Sequence, residues 1–303
     1  MYDVTIFGIT FNLNPIAFTI PFLNWDVYWY GIIITLGFVL AGFYAYKRCG
    51  DFGIKFDDII DCILVVLPVS IVCARLYFML FYGLPITEFF EGGGKGFSGL
   101  AIYGGIIGAG ISIFVMCKIK KMNLLDVIDM TLIGFLLGQG IGRWGNFINS
   151  EAYGTFTGSD WFGMTGSKIA AEMGSTALVH PCFLYESVWC LIGFILLLNF
   201  IKKREYRGQI SLMYCVWYGF ERTIVEGLRT DSLYIFGENK VFVDRFVLFA
   251  DQNGIRVSQL LSAIICVGAL AALLIIKYKN KRKANELKKP VVSVIEDTAE
   301  SEE

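Results

Sequence analysis

Apolar residues recur along the chain in runs whose length suits a bilayer. A helix crossing a hydrocarbon core of about 30 Å needs about 20 largely apolar residues. Seven segments meet that need: 27–46, 58–82, 97–117, 124–148, 182–201, 209–228 and 257–276. The second, fourth and sixth each carry an arginine inside the run: Arg75, Arg143 and Arg222. The pattern predicts an all-α, polytopic membrane protein with seven transmembrane helices in a single membrane domain covering residues 1–303. Tyr2 to Phe22 lacks the basic stretch that opens a signal peptide and reads as a retained amphipathic arm on the membrane surface. Two longer stretches, 150–180 and 229–256, mix polar residues, glycines and aromatics and read as outer loops that could form small lobes. Residues 277–303 form a charged tail that ends in the disordered run EDTAESEE.

Composition agrees with the pattern. Charged residues make up 17% of the chain and hydrophobic residues 55%, with a mean hydropathy of +0.60, whereas soluble domains carry about a quarter charged residues. A disordered chain and a basic nucleic-acid-binding domain are excluded. The eight cysteines mostly sit in apolar runs and form neither CxxC nor Cys/His metal spacings, so they read as small buried hydrophobes. With the N-terminus outside, seventeen of the 26 lysines and arginines fall in inner loops and the C-terminal tail, six in outer loops and three within spans. That bias sets the N-terminus out and the C-terminus in.

The orientation turns residue number into depth. Arg75, Arg143 and Arg222 come late in outward-running segments, and Tyr103 and Glu186 come early in inward-running ones, so all five share the outer half of the membrane. In the sixth segment Tyr218, Arg222, Glu226 and Arg229 follow one helical stripe, with Arg222 and Glu226 spaced to pair at i, i+4. In the fourth, Arg143 and Asn146 share a face beside glycines 134, 138, 140, 142 and 145. The residues alone allow two readings. The arginines and glycines are structural, pairing with Glu186 or Glu226 and easing helix packing. Or the arginines bind an anion, since intramembrane charge is costly and guanidinium forks suit phosphate; a phospholipid headgroup in the outer leaflet fits most simply.

Two motifs are set aside. Gly140-x-Gly142-x-x-Gly145 matches a dinucleotide fingerprint but lies inside an apolar span with no preceding strand. Gly96-Phe97-Ser98-Gly99 matches the GxSG of intramembrane serine proteases, with His180 the only histidine; a loop serine and a helix-start histidine explain both residues.

The stretch GQGIGRWGNFINSEAYG (138–154) closely resembles the signature of bacterial prolipoprotein diacylglyceryl transferases. In order and spacing it is accompanied by VYWYG (27–31), ARLYF (74–78), GLAIYGG (99–105), HPCFLYE (180–186), YGFERTIVEGLR (218–229) and VSQLL (257–261). The resemblance implies a seven-helix enzyme of the bacterial cytoplasmic membrane. Its substrates would be phosphatidylglycerol and a preprolipoprotein signal peptide with its lipobox cysteine. The diacylglyceryl group passes to the cysteine thiol, a thioether forms and glycerol phosphate leaves. Arg143, Asn146, Glu151 and Gly154 match the signature's functional positions, and Tyr30, Arg222, Glu226 and Arg229 match the first-helix tyrosine and the late arginine motif. This chain departs from the family at Tyr103, which stands where some members have a histidine considered a catalytic base. A tyrosine with an ordinary pKa of about 10 is a poor base at neutral pH, so Tyr103 reads as a hydrogen-bond donor to phosphate.

On this reading Arg143 and Arg222 stabilise the leaving phosphate, and Glu151 or Glu226 takes a proton or orients an arginine. Arg75, Tyr30, Asn146, Gly154, Tyr218, Glu226 and Arg229 bind substrate. No metal or organic cofactor is implied. A non-enzymatic lipid or anion transporter using the same arginines is the rival. The absence of visible repeats and the clustering away from the midplane count against it.

Overall fold

The computed structural model describes residues 2–22, 24–83, 89, 101–230, 234–235, 246–251 and 254–286. The chain begins with four short strands, β1 (Tyr2–Ile6), β2 (Ile9–Leu13), β3 (Ile16–Ile20) and β4 (Trp25–Tyr28). Helices α1 (Trp29–Arg48), α2 (Phe56–Tyr82), α3 (Ile102–Ile119) and α4 (Leu124–Asn149) follow. A lobe then holds β5 (Met164–Gly166) and the short α5 (Ser167–Met173), before α6 (Cys182–Phe200) and α7 (Gln209–Leu228). Small strands β6 (Tyr234–Ile235), β7 (Ala250–Asp251) and β8 (Gly254–Arg256) precede the last helix, α8 (Val257–Glu286).

A helix occupies each of the seven apolar segments. Five of these helices are long and apolar enough to cross a membrane: α1, α2, α4, α6 and α8. The other two fall short for different reasons. The apolar part of α3, Tyr103–Ile119, is shorter, and α7 carries Glu221, Arg222 and Glu226 in its second half. Leu80, Ile264, Val267 and Leu274 stand exposed on their helices, as expected of surfaces whose solvent is lipid.

Glycines set the helix contacts. A Cβ at Gly108 of α3 would come within 2.7 Å of Cys73 Cβ on α2, and one at Gly219 of α7 within 2.9 Å of the Ser262 carbonyl on α8. Gly37 of α1 abuts the backbone of Gly138, and Gly140 abuts the Ser187 carbonyl of α6. Small residues thus let α2 close on α3, α7 on α8, and both α1 and α6 on α4. At the end where α4 and α7 begin, Asn123 caps α4 by accepting from the Leu125 amide at 3.0 Å. There Arg204 pairs with Asp126 at 2.7 Å and with fully buried Asp129 at 3.1 Å. Asp129 also accepts from the Gly208 and Ser211 amides, which ties the start of α7 to α4.

The all-α expectation is corrected at the opposite end. The arm is two antiparallel hairpins, β1–β2 and β3–β4, and β1 also pairs with β5 through Val4 and Gly166 to give a sheet ordered β2-β1-β5. A second three-stranded sheet, β6-β8-β7, lies in the 229–256 stretch. The β1–β2 turn places Phe7 (φ 50°) and Gly8 (φ 80°) in the left-handed region that a tight hairpin needs. Segment 150–180 is therefore a folded lobe, with Val4, Met164, Ile169, Val179 and Phe183 packed in its core. The tail beyond residue 286 and the residues Lys95, Lys240 and Arg245, assigned to outer loops from the sequence, lie outside the described residues.

Candidate functional site

The centre of the site is a carboxylate. Glu186, in the first turns of α6, is 1% exposed and gathers three arginines from two other helices. Arg143 Nη2 of α4 pairs with its Oε2. Arg222 Nη1 of α7 lies 3.4 Å from the same oxygen, and Arg229 Nη1 lies 3.4 Å from Oε1. Arg222 makes the i, i+4 pair with Glu226 at 2.6 Å. Tyr218, one turn earlier on the stripe, stacks on Tyr214 and lies within electrostatic reach of Arg222, Arg143 and Glu186. Next to the cluster, Ser187 donates to the Gly140 carbonyl at 2.8 Å and accepts from Trp144 Nε1 at 3.1 Å, locking α6 to α4.

A second polar group forms where α4 ends. Glu151 Oε1 accepts from Asn146 Nδ2 at 3.0 Å and from Asn149 Nδ2 at 3.3 Å. The Tyr30 ring lies against Gly145, where a Cβ would collide with it, and within electrostatic reach of both Arg143 and Glu151. The chain then turns sharply, with Ser150 (φ 48°) and Ala152 (φ 58°) both left-handed, a costly conformation for residues with a Cβ.

The surroundings hold that turn. The last four carbonyls of a helix lack partners within it, and here each has one. The Glu151 amide donates to Asn146 O, the Ser150 amide to Phe147 O, the Tyr2 hydroxyl to Ile148 O at 2.6 Å, and Lys168 Nζ to Asn149 O at 2.7 Å. Burial and the Glu151 charge push the Tyr2 hydroxyl above its ordinary pKa, so it stays a donor. The end of α7 is finished the same way. Arg229 N donates to Val225 O, Arg256 Nη1 to Glu226 O at 2.6 Å, Val247 N to Gly227 O and Thr155 N to Leu228 O. Gly154 bridges to Arg229 here, and a Cβ on it would come within 2.8 Å of His180 Cβ and 2.9 Å of Cys182 Sγ.

The remaining candidates stand apart. Arg75 is 3% exposed, with its Nε donating to Phe89 O at 3.3 Å and its guanidinium over the Phe78 ring. Tyr103, half exposed, meets the Tyr77 ring with centroids 6.4 Å apart. Both belong to the α2–α3 pair, and neither makes a described contact with Glu186 or its arginines. His180 Nδ1 lies 3.1 Å from the Tyr185 hydroxyl, and burial lowers its pKa; Ser98 lies outside the described residues. The sequence singled out Glu186 as a polar residue early in its segment but not as the common partner of three arginines. Glu221, Arg256 and Lys168 carried no signal beyond their charge.

Fold and site together define a class: a multi-pass helical membrane protein with a buried arginine–carboxylate centre. Comparison with known proteins narrows it. The family model for prolipoprotein diacylglyceryl transferase matches residues 15–275. A phosphatidylglycerol–prolipoprotein diacylglyceryl transferase of Clostridioides difficile is 35% identical over 278 residues, covering 90% of this chain and 100% of that protein. Proteins of the same name from Clostridium novyi and Finegoldia magna are 38% and 40% identical, covering 90% and 89% of this chain and 98% and 97% of their own lengths. The chain belongs to the prolipoprotein diacylglyceryl transferase family.

Proposed function

We propose that this chain transfers the diacylglyceryl group of phosphatidylglycerol to the lipobox cysteine thiol of a prolipoprotein, the first step of lipoprotein maturation. Family membership supports the reaction, and the names of the relatives supply both substrates. The observation that carries the reading is the convergence of Arg143, Arg222 and Arg229 on Glu186, with Arg143 inside the signature stretch. In this reading α1–α4 and α6–α8 span the bacterial cytoplasmic membrane with the N-terminus outside, as one membrane domain. The excess of lysine and arginine in the segments assigned inside supports that orientation. The ends of α4 and α7 then lie in the outer half, under the 150–180 and 229–256 lobes, and residues 277–303 are cytoplasmic.

The chemistry is an alkyl transfer. The cysteine sulfur, as the thiolate left when the thiol proton passes to solvent, attacks the glycerol carbon that bears the phosphate ester. An S–C bond forms, the C–O bond breaks, and its electron pair leaves on the phosphate oxygen of glycerol phosphate. Arg143 and Arg222 supply preorganised positive charge where negative charge develops, and their field favours the thiolate over a thiol of ordinary pKa about 8.5. Glu151 accepts from Asn146 and Asn149, which supports an orienting role over proton transfer. Tyr103 and Arg75 act from the α2–α3 side, Tyr103 as a hydrogen-bond donor to phosphate. Tyr30, Asn146, Gly154, Tyr218, Glu226 and Arg229 shape and hold the substrate pocket. The reaction as written needs neither metal nor organic cofactor.

Purified protein incubated with phosphatidylglycerol and a lipobox peptide tests the proposal by product mass. Diacylglyceryl addition to the cysteine peptide, none to its Cys→Ser version, and loss of addition in folded Arg143→Ala are expected. No addition by folded, lipid-bound protein would overturn the transferase and leave a lipid-binding cluster, favouring the transporter.

A further inference from the structure

Glu221 is the buried acid that the proposed chemistry leaves unused. It lies one residue before Arg222 on the buried face of α7, with Ile210, Tyr214 and Val225. It is 4% exposed, and both carboxylate oxygens are buried with no hydrogen-bond donor among the described residues. Other buried acids of this protein have partners: Glu186 has its arginines, Asp129 has Arg204 and two amides, and Asp126 has Arg204 and Arg207. The charged and titratable groups facing Glu221 among the described residues are Arg143 from α4, Glu186 and Cys190 from α6, and Tyr218, Arg222 and Arg229 on its own helix. It therefore belongs electrostatically to the cluster while making no hydrogen bond within it among the described residues.

Charge counting gives that position a consequence. Three guanidiniums, those of Arg143, Arg222 and Arg229, share the carboxylates of Glu186 and Glu226. Glu221 adds one negative charge to this group when ionised and none when neutral, and a phosphodiester headgroup brings one negative charge of its own. Two negative charges side by side in a buried site are an expensive state, so a bound headgroup favours the neutral form of Glu221. A carboxylate without donors is the member of the group that changes protonation at least structural cost, because no hydrogen bond must be rearranged.

We propose that Glu221 sets the charge of the arginine cluster, so that binding of the phosphatidylglycerol headgroup and binding of one proton at Glu221 are linked. The inference rests on the transferase reading for the identity of the lipid. Glu221 acts through the arginines and is a positioning residue: its effect falls on the apparent affinity for lipid, seen in KM, and not on kcat.

The test uses the full chain in detergent micelles, titrated with phosphatidylglycerol and, separately, with phosphatidylcholine, between about pH 6 and about pH 9. Wild-type affinity for phosphatidylglycerol falls with rising pH, approaching tenfold per pH unit where one proton is taken up per lipid bound. Glu221→Gln, which keeps the shape of the neutral acid, binds with an affinity independent of pH, and phosphatidylcholine binding shows no such dependence in either protein. Calorimetry in buffers of different ionisation enthalpy reads the proton directly, one taken up by wild type and none by the variant. The wild-type reading stands alone if the variant does not fold. Equal pH slopes in wild type and Glu221→Gln, or no proton uptake by wild type, overturn the proposal. Diacylglyceryl transfer measured on the same samples keeps the two readings apart. Transfer without linkage sinks the role of Glu221, and linkage without transfer sinks the transferase.

Discussion

Replacing Glu186 with glutamine removes a charge shared by three guanidiniums while keeping the shape of the side chain. The glutamate side chain is 1% exposed, and those of Arg143, Arg222 and Arg229 are 19%, 18% and 11% exposed. Removing one partner of a buried ion pair costs about 3–5 kcal/mol because the other charge is left uncompensated. Here the arginines keep some solvent contact, and Arg222 retains Glu226 at 2.6 Å. The expected loss is therefore at the low end, about 3 kcal/mol. The arrangement also predicts how the loss divides. Glu186 is the one ion-pair partner of Arg143 among the described residues, whereas Arg222 is shared with Glu226. A double-mutant cycle pairing Glu186→Gln with Arg143→Gln should return a coupling of about 1–3 kcal/mol, and the cycle with Arg222→Gln a smaller one. Reversible unfolding in mixed micelles, followed by tryptophan fluorescence, reads these values. Additivity within about 0.5 kcal/mol for the Arg143 cycle, or a larger coupling to Arg222, would refute Glu186 as the organising carboxylate.

Gly154→Ala puts a methyl group 2.8 Å from His180 Cβ and 2.9 Å from Cys182 Sγ, between the ends of α6 and α7. An overpacking cost of about 1–3 kcal/mol is expected, read as a lower unfolding midpoint, and a change within error would show that this junction yields. His180 has its pKa lowered by burial, so the folded state favours the neutral ring. Its contribution is fully present above the ordinary value of about 6.5 and is lost as pH falls from there through the lowered folded value. Wild type should lose thermal stability over that acid window more steeply than His180→Gln; parallel curves would contradict the assignment.

The positions of the helices were legible in the sequence and azimuth was not. Run length and interrupting arginines located the helices closely, and α7 covers the expected 209–228. Positive-inside counting put Arg75, Arg143, Arg222, Tyr103 and Glu186 at one level. It could not say which helices face one another, and the packing splits that set. Arg143 and Arg222 meet at Glu186, while Arg75 and Tyr103 stay with the α2–α3 pair. Glu221 was passed over for a related reason: the stripe through Tyr218, Arg222 and Glu226 excludes it, and its importance comes from the donors it lacks. The strands were hidden because β1 finds β5 only after four intervening long helices. No local pattern records a pairing over that separation.

The 150–180 lobe and the described residues of the 229–256 stretch are better understood as the fixtures of two helix ends than as covers. Arg143 lies before the last turn of α4 and Arg229 caps α7, each close to an end where backbone carbonyls run out of partners and fraying is easiest. Both ends are completed from distant sequence: α4 by Tyr2 of β1 and Lys168 of α5, α7 by Thr155 from the 150–180 lobe and by Val247 and Arg256 from the 229–256 stretch. Lys168 and Arg256, which donate to these terminal carbonyls, also oppose the negative end of each helix dipole. Thr155 and Gly154 belong to the chain that leaves α4, so the turn after Asn149 also finishes α7 and joins the two ends directly. A site that must hold three like charges around Glu186 and Glu226 tolerates little movement of the helices that carry them. Fastening both termini through one short, strained turn keeps Arg143 and Arg229 in register with Glu186 while leaving the membrane-facing sides of the bundle free to meet lipid.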